Sequence, residues 1–412
     1  MESILLVIFG VGCLLLRAGF ALQVSGSLRA KNSAAAVVRL TAETAAAVIA
    51  FWGLGAGILF QTRNNWLAFD PKYLFCEPAG AASKEFFHLT VFLIAGSIVS
   101  GAIAERSKFY VGVIASAVLA GFVLPVVGHW VWYGWLLNLY NCRFVDCGGA
   151  TVIHLTGAIF GAIGIGVVGS RAGKYNRDGS SSSIPGHSLP MLGVGVMLLL
   201  AGWFPYLLGC VIAHGDVADP SDVELAICAT NILLAGAGGV AGGLIYSQWR
   251  YRKPDLFFIY SGLLGGLVAI SSGLLAVNNG FGAILIGLVA GIIIPMIALL
   301  LDLNARMDDP IGLIAIHGVG AIWGTLATAI FIPFEHFSDH FKQLAIQCGG
   351  LAAVMLFSAI FAAALFLLLR QLKWLRVTDA DEFDGLDIGE HDINSYPDFQ
   401  QTTIKSYHLR EA

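Results

Sequence analysis

Long apolar runs separated by short polar stretches set the first constraint on this chain. A helix needs about 20 apolar residues to cross the hydrocarbon core of a bilayer, and windows of that length recur at roughly 3–22, 37–60, 86–104, 109–128, 147–169, 189–213, 224–246, 256–277, 280–303, 310–332 and 343–370. The pattern predicts an all-α membrane protein with eleven transmembrane helices. Connections are short; Ser170 to Gly186, with its Ser180 to Ser183 run, reads as a flexible loop. The first apolar run follows Glu2 with no basic residue ahead of it, so it lacks the positive flank of a cleaved signal peptide and reads as a retained helix. Residues 1–372 then form the helical domain and 373–412 a polar tail or linker.

Composition agrees and removes other classes. Hydrophobic residues make up 57% of the 412 and charged residues only 12%, about half the charged share of a soluble domain. The net charge of −4 gathers into no basic face, which sets nucleic-acid binding aside. Fifty glycines without a collagen period suit helices that pack at backbone distance. Basic residues, among them Arg29, Lys31, Arg106, Lys108, Arg171, Lys174, Arg250, Arg252 and Lys253, crowd the loops of one side, whereas the other carries Arg63, Lys72, Lys84, Arg143 and Lys342. The positive-inside rule places the C-terminus in the cytoplasm, and an odd helix count places the N-terminus outside.

An internal repeat carries the candidate chemistry. Asp146 to Gly161 and Asp309 to Gly324 align without a gap and share the pattern D-x2-G-x3-I-H-x2-G-A-I-x-G. The fifth helix and the tenth cross in opposite directions, so equal motifs there mark an inverted 5+5 repeat with an eleventh helix appended. His154 and His317 each follow an aspartate by eight residues, a helical rise of roughly 12 Å that brings both near mid-membrane. Two neutral imidazoles can share a proton and keep a further nitrogen for a small polar species. A metal pair competes as a reading, but no third Cys, His or carboxylate stands at ligand spacing beside either histidine. No nucleophile with a base and no phosphate loop appears, and no cofactor is expected.

Further stretches carry a resemblance: Ser25 to Asn32, Gly101 to Arg106, His129 to Trp132, Gly186 to Ser188, Gly202 to Phe204, Asp308 to Pro310 and Gly385 to Asp387, together with the two histidine motifs. In this order and spacing the chain resembles the ammonium transporter (Amt/Rh) family. The resemblance implies a homotrimer in the cell membrane with one pore per protomer, His154 and His317 as pore histidines, and Asp146 as the outer-vestibule aspartate. It further implies ammonium recruitment at Trp132 and Phe87, with Cys210 standing where a serine is usual. Aromatic faces plus a thiol acceptor suit a dehydrated monovalent cation. Ammonium would be held there, deprotonated, and passed as ammonia through an apolar lumen that refuses bare ions.

Departures from that pattern fall on the pore gate. Gln23 and Val24 replace an aromatic pair, Val91 replaces a phenylalanine, and Tyr206 lies in a Pro205–Tyr206–Leu207 run where Gly-Phe-Asn is usual. Phe92, one position along, is rotated by about 100° from Val91 on a helix and is not expected to substitute for it. Arg17 is expected to snorkel to the cytoplasm, Arg39 and Glu43 to form an i,i+4 pair, and Cys76 and Cys142 to bridge two outer loops. The tail from Arg376 to Phe399 is similar to the region through which the family meets nitrogen-regulatory signal proteins, and Thr402 to Ala412 reads as a helical linker toward an output module. Transport and ammonium sensing both remain open.

Overall fold

The computed structural model describes residues 2–76, 82–137, 139, 142–214, 220–277 and 279–397. Among them eleven helices are long and apolar enough to cross a membrane: α1 Glu2–Ser27, α2 Ala30–Leu59, α3 Ala82–Ala102, α4 Phe109–Leu137, α5 Ala150–Val168, α6 Leu189–His214, α7 Asp222–Tyr251, α8 Leu256–Gly273, α9 Gly280–Leu303, α10 Ile314–Phe331 and α11 Phe337–Gln371. No strand occurs among the described residues. Every expected span has its helix, and large apolar side chains such as Ile8, Leu233, Phe281 and Leu356 are left exposed on the outside of the bundle.

The repeat is visible in the packing. α2 lies on α4 and α3 on α5; in the second half α7 lies on α9 and α8 on α10. α1 and α6 cross each other and join the halves. Their crossing is itself symmetric: Gly19 of α1 abuts Leu199 of α6 while Gly202 of α6 abuts Leu16 of α1, and Gly12 meets Pro205 while Gly195 meets Gln23. α11 packs on α5 outside this arrangement. Caps start several helices, among them the Ser221–Glu224 capping box of α7 and the Asp255 and Asn279 side chains at α8 and α9.

Charges inside the apolar body are partnered. Arg17 does not snorkel. Its guanidinium donates to Thr44 Oγ1 at 2.8 Å, Ser97 Oγ at 2.5 Å, Leu93 O at 3.2 Å and the Leu40 carbonyl, and it pairs with Glu43 at 3.2 Å. These bonds tie α1, α2 and α3 together and keep the charge away from the tail-bearing face. Arg39 turns instead to Ser107, with Nη1 2.9 Å from Oγ, and to Glu390 of the tail at 3.9 Å. The i,i+4 expectation therefore gives way to long-range partners, Arg17 for Glu43 and Ser107 and Glu390 for Arg39. Cys142 carries a free thiol, so the expected loop bridge is not formed; the Cys76 side chain lies outside the described residues.

On the face that carries the tail, stretches scattered along the chain converge. Glu105, at a left-handed φ of 69°, takes Arg29 and Arg171 at 3.0 Å each and the Asn32 amide at 2.9 Å, and Arg171 reaches on to Asp308 at 2.7 Å. Burial would push the Glu105 carboxyl up, but the two guanidinium groups outweigh it and hold it below the usual range. Asp308 is held down the same way, burial being outweighed by Arg171 and Arg106. Depressed values mean that this stabilisation is present above the ordinary carboxylate range and is lost as pH falls below it. The tail then clamps onto the network through two short helices, α12 Asp379–Asp384 and α13 Leu386–Gly389. Asp387 accepts from Ala35 N at 2.8 Å in the first turns of α2, Glu390 accepts from Phe109 N at 2.7 Å at the start of α4, and Tyr396 meets His187 at 2.7 Å. Carboxylates at helix N-termini satisfy orphan amides and the helix dipole together. Thr402 to Ala412 lies outside the described residues.

Glycine sets the spacing of α7, α8 and α9. A Cβ on Gly239 would run into the backbone carbonyl of Gly262, and one on Gly291 into that of Gly239. Gly239→Ala should therefore lower thermal stability in detergent by an amount typical of core overpacking, about 1–3 kcal/mol. Gly166→Ala, where an added Cβ meets nothing within 4 Å, should leave it unchanged. Equal melting temperatures for the two variants would refute backbone-level packing.

Candidate functional site

Both histidines are delivered by the same local device. Asp146 folds back on the start of α5, its two oxygens accepting from Ala150 N at 2.6 Å and Thr151 N at 2.7 Å, with Gly149 left-handed at φ 73°. Asp309 does the same for α10, accepting from Gly312 N at 3.0 Å and Ile314 N at 2.7 Å, with Gly312 at φ 76°. Only glycine adopts that conformation without strain. A π-helical turn follows in each case, Ala150–Leu155 and Ile314–Val319. Such turns re-aim side chains and recur at functional sites. Each histidine thus sits on the first turn of its helix, because the residues just after the aspartate form a turn and contribute no helical rise.

The imidazoles of His154 and His317 are fully buried and near-parallel, with Nδ1···Nδ1 at 3.1 Å and a 17° interplanar angle. Trp203 stacks on His154 at 5.3 Å, and Phe20 leans on His317 at 5.8 Å. The surrounding bonds assign the tautomers. The Tyr206 hydroxyl donates to the Gly148 carbonyl, so its oxygen is left to accept from His154 Nε2–H, 3.3 Å away. His154 Nδ1 must then accept from His317 Nδ1–H, and His317 Nε2 is left with a bare lone pair. That nitrogen has no hydrogen-bond partner among the described residues.

A cavity of about 310 Å³ opens at the other end of α4 and α6, lined by Trp132, Asp146, Cys147 and His214 among others. Its aromatic floor differs from the expected one. His214 lies flat on Trp132, with centroids 3.9 Å apart and planes 7° apart, and therefore occupies that face of the indole. His214 Nε2 meets His88 Nε2 at 2.5 Å. Phe87 is buried and reaches this group through His88, 5.8 Å away edge-on, and Phe92 lies parallel to Trp132 at 6.3 Å. Phe92, discounted on helical phase, thus belongs to the aromatic cluster.

The other expected residues are only partly brought together. Cys210 is fully buried one turn before His214, and Val91 is buried one turn beyond Phe87. Asp146 reaches Trp132 through its backbone, whose carbonyl accepts from the indole N–H at 3.0 Å, while its carboxylate faces the helix start. Gln23 does not join Val91 and Tyr206 in one gate. It packs at Gly195, about 16 Å along α6 from Tyr206, because α1 carries it past the histidine pair. His88 and His214 were missed. An ionisable residue inside an apolar span is a signal in itself, but their pairing across 126 positions has no local signature.

These features can be set beside known proteins. The Ammonium Transporter Family model matches residues 4–396. The chain belongs to this family. It is 30% identical to ammonium transporter Amt1 of Haloferax mediterranei, over 92% of this chain and 76% of that one, and 31% identical to Amt2 of Archaeoglobus fulgidus, over 95% and 87%. Among solved structures it resembles a protein titled Sensor Amt Protein with a TM-score of 0.88 at 28% identity, covering 95% of this chain and 98% of that chain. Mep2 of Saccharomyces cerevisiae, at 20% identity and a TM-score of 0.78 over 92% and 90%, shares the fold.

In this member of the ammonium transporter family Asp146 is a buried carboxylic acid lining the cavity beside Trp132. Burial pushes its carboxyl up to about 6, against the opposing pull of the Thr151 and Ala150 donors. A raised carboxyl favours the folded state below its ordinary value and loses that advantage as pH rises through about 6. Infrared difference spectra should show one carboxyl band titrating near pH 6 that vanishes in Asp146→Asn. Persistence of the band in that variant would assign it elsewhere.

Proposed function

We propose that the chain moves ammonium nitrogen across the cell membrane, taking ammonium at the outer mouth and passing ammonia by His154 and His317. The observation that carries this is the bare His317 Nε2, a lone acceptor in an apolar interior and the terminus of a directional chain of hydrogen bonds from His317 through His154 and Tyr206 to Gly148. Neutral ammonia can donate an N–H to it, whereas sodium or potassium would have to shed water for a single nitrogen. Ammonium gives its proton to an acceptor at the outer mouth, and the neutral molecule continues. The unit is a homotrimer with the tail on the cytoplasmic side, as the basic loops and the family resemblance favour.

A second reading, ammonium sensing, draws support from two observations. Tyr206 occupies His154 Nε2, and the tail is clamped to α2 and α4 by Asp387 and Glu390. In that reading ammonium binds and passes slowly, and its preference for one arrangement shifts the tail. A nitrogen-regulatory protein or an output module would then meet the tail.

Flux in proteoliposomes separates the two. His317→Ala should cut ammonium flux about tenfold, the equivalent of one lost hydrogen bond, and leave the fold intact. Tyr206→Phe, which releases His154 and the Gly148 carbonyl, should raise flux several-fold. Wild-type flux in both His154→Ala and His317→Ala would make the pair structural only, and tight ammonium binding without flux in any variant would favour the sensor.

A further inference from the structure

The outer pair, His88 and His214, sets a proton-counting problem. His88 Nδ1 lies 2.6 Å from the Lys84 carbonyl, and His214 Nδ1 lies 3.3 Å from the Cys147 carbonyl. A carbonyl only accepts, so each Nδ1 carries hydrogen. In two neutral rings both Nε2 atoms would then be bare lone pairs, yet they meet at 2.5 Å. A proton between them would relieve the repulsion of the two lone pairs and make the pair imidazole–imidazolium.

The surroundings suit that charge. His214 stacks face-to-face on Trp132, and His88 is ringed by Phe60 at 5.3 Å, Trp132 at 5.5 Å, Phe87 at 5.8 Å and Phe92 at 6.1 Å. Aromatic cages of this kind hold cations. Of the charged groups, Lys84 on α3 acts on both rings and opposes a positive charge there, while Asp146 in the loop before α5, Arg143 and Glu224 line the same cavity as His214. Tyr133 of α4, 6.1 Å from His214, Cys147 and Cys210 complete the titratable neighbours.

We propose that His88 and His214 hold a shared proton in the outer aromatic cage, and that ammonium binds by exchanging for it. The deepened site rests on the transport reading. In the exchange the shared proton leaves to the outer solution, the two Nε2 atoms part, and ammonium donates one N–H to each; one cation replaces another, so charge balances. Transfer then breaks one N–H bond of ammonium and forms one Nε2–H bond. Ammonia moves on toward His317, and the pair regains its proton. The histidines thus act as ammonium ligands and as the proton acceptor that the transport reading leaves unassigned.

Two measurements on the full-length protein test this. Solid-state 15N spectra of histidine-labelled protein in bilayers, without ammonium, should contain imidazolium signals at neutral pH that are lost in both His214→Gln and His88→Gln. Calorimetry with ammonium chloride in buffers of different ionisation enthalpy should report one proton released per ammonium bound, with affinity increasing about tenfold for each unit that pH rises in the range where the pair is protonated. His214→Gln should abolish both the release and the pH slope. Spectra showing only neutral imidazoles, or equal proton release in wild type and His214→Gln, would overturn the shared proton. Failure of ammonium to bind wild type at all would overturn the transport reading together with the exchange, while intact imidazolium signals would still uphold the pair. The wild-type spectrum and buffer series decide even if a variant fails to fold.

Discussion

Hydrocarbon offers no hydrogen bonds, so every polar group inside the bundle must be matched by the protein, and most of this structure follows from that demand. Arg17 sits between α1, α2 and α3 because Glu43, Thr44, Ser97 and two carbonyls satisfy it there. Asp146 and Asp309 close the exposed amides of α5 and α10. The histidines obey the same rule in pairs, each imidazole finding in the other a partner that apolar helices cannot provide. A polar atom left over under such pressure is informative, and His317 Nε2 is one such atom among the described residues.

The glycine contacts make this matching possible. Where α7, α8 and α9 meet at backbone distance, and where α1 crosses α6 on Gly19 and Gly202, no side-chain layer separates the helices. Close helices bring groups from distant parts of the chain within hydrogen-bond reach, and they fix geometry that loosely packed side chains would blur. The tail-bearing face repeats the principle in a wetter setting, with Glu105, Arg171 and Asp308 drawing three loops together and the tail carboxylates closing two helix starts.

Much of this was legible in the amino-acid order. Eleven hydrophobic runs became eleven helices, and the gap-free repeat placed His154 against His317 because symmetry supplies the long-range contact that a single chain position cannot. Local spacing misled where tertiary partners won. Arg39 and Glu43 are four apart, yet Glu43 takes Arg17 from 26 positions away, which in turn removed the reason for Arg17 to snorkel. Gln23 was grouped with Val91 and Tyr206 by pattern, although α1 carries it to the far side of the histidines. His88 and His214 stood in plain view inside apolar spans, but they lie outside the repeated histidine motif and nothing local points one at the other.

Symmetry also shows what is asymmetric. Trp203 and Tyr206 on α6 correspond to Phe20 and Gln23 on α1, since the glycine contacts of the crossing map one helix onto the other with that offset. Trp203 and Phe20 play matching parts, one ring against each histidine. Tyr206 and Gln23 do not. The hydroxyl of Tyr206 spans Gly148 and His154 and fixes the direction of the whole chain of bonds, whereas the Gln23 amide oxygen is buried without a partner. Among the described residues the two buried side-chain acceptors His317 Nε2 and Gln23 Oε1 thus lack a partner, whereas Tyr206 and His154 have theirs. A bond chain with one closed end and one open end is polar, and a small N–H donor is favoured only on the open side. The two halves of the repeat thus share a backbone device for placing histidines, while Tyr206 on one crossing helix and Gln23 on the other make the two sides of the histidine pair chemically different.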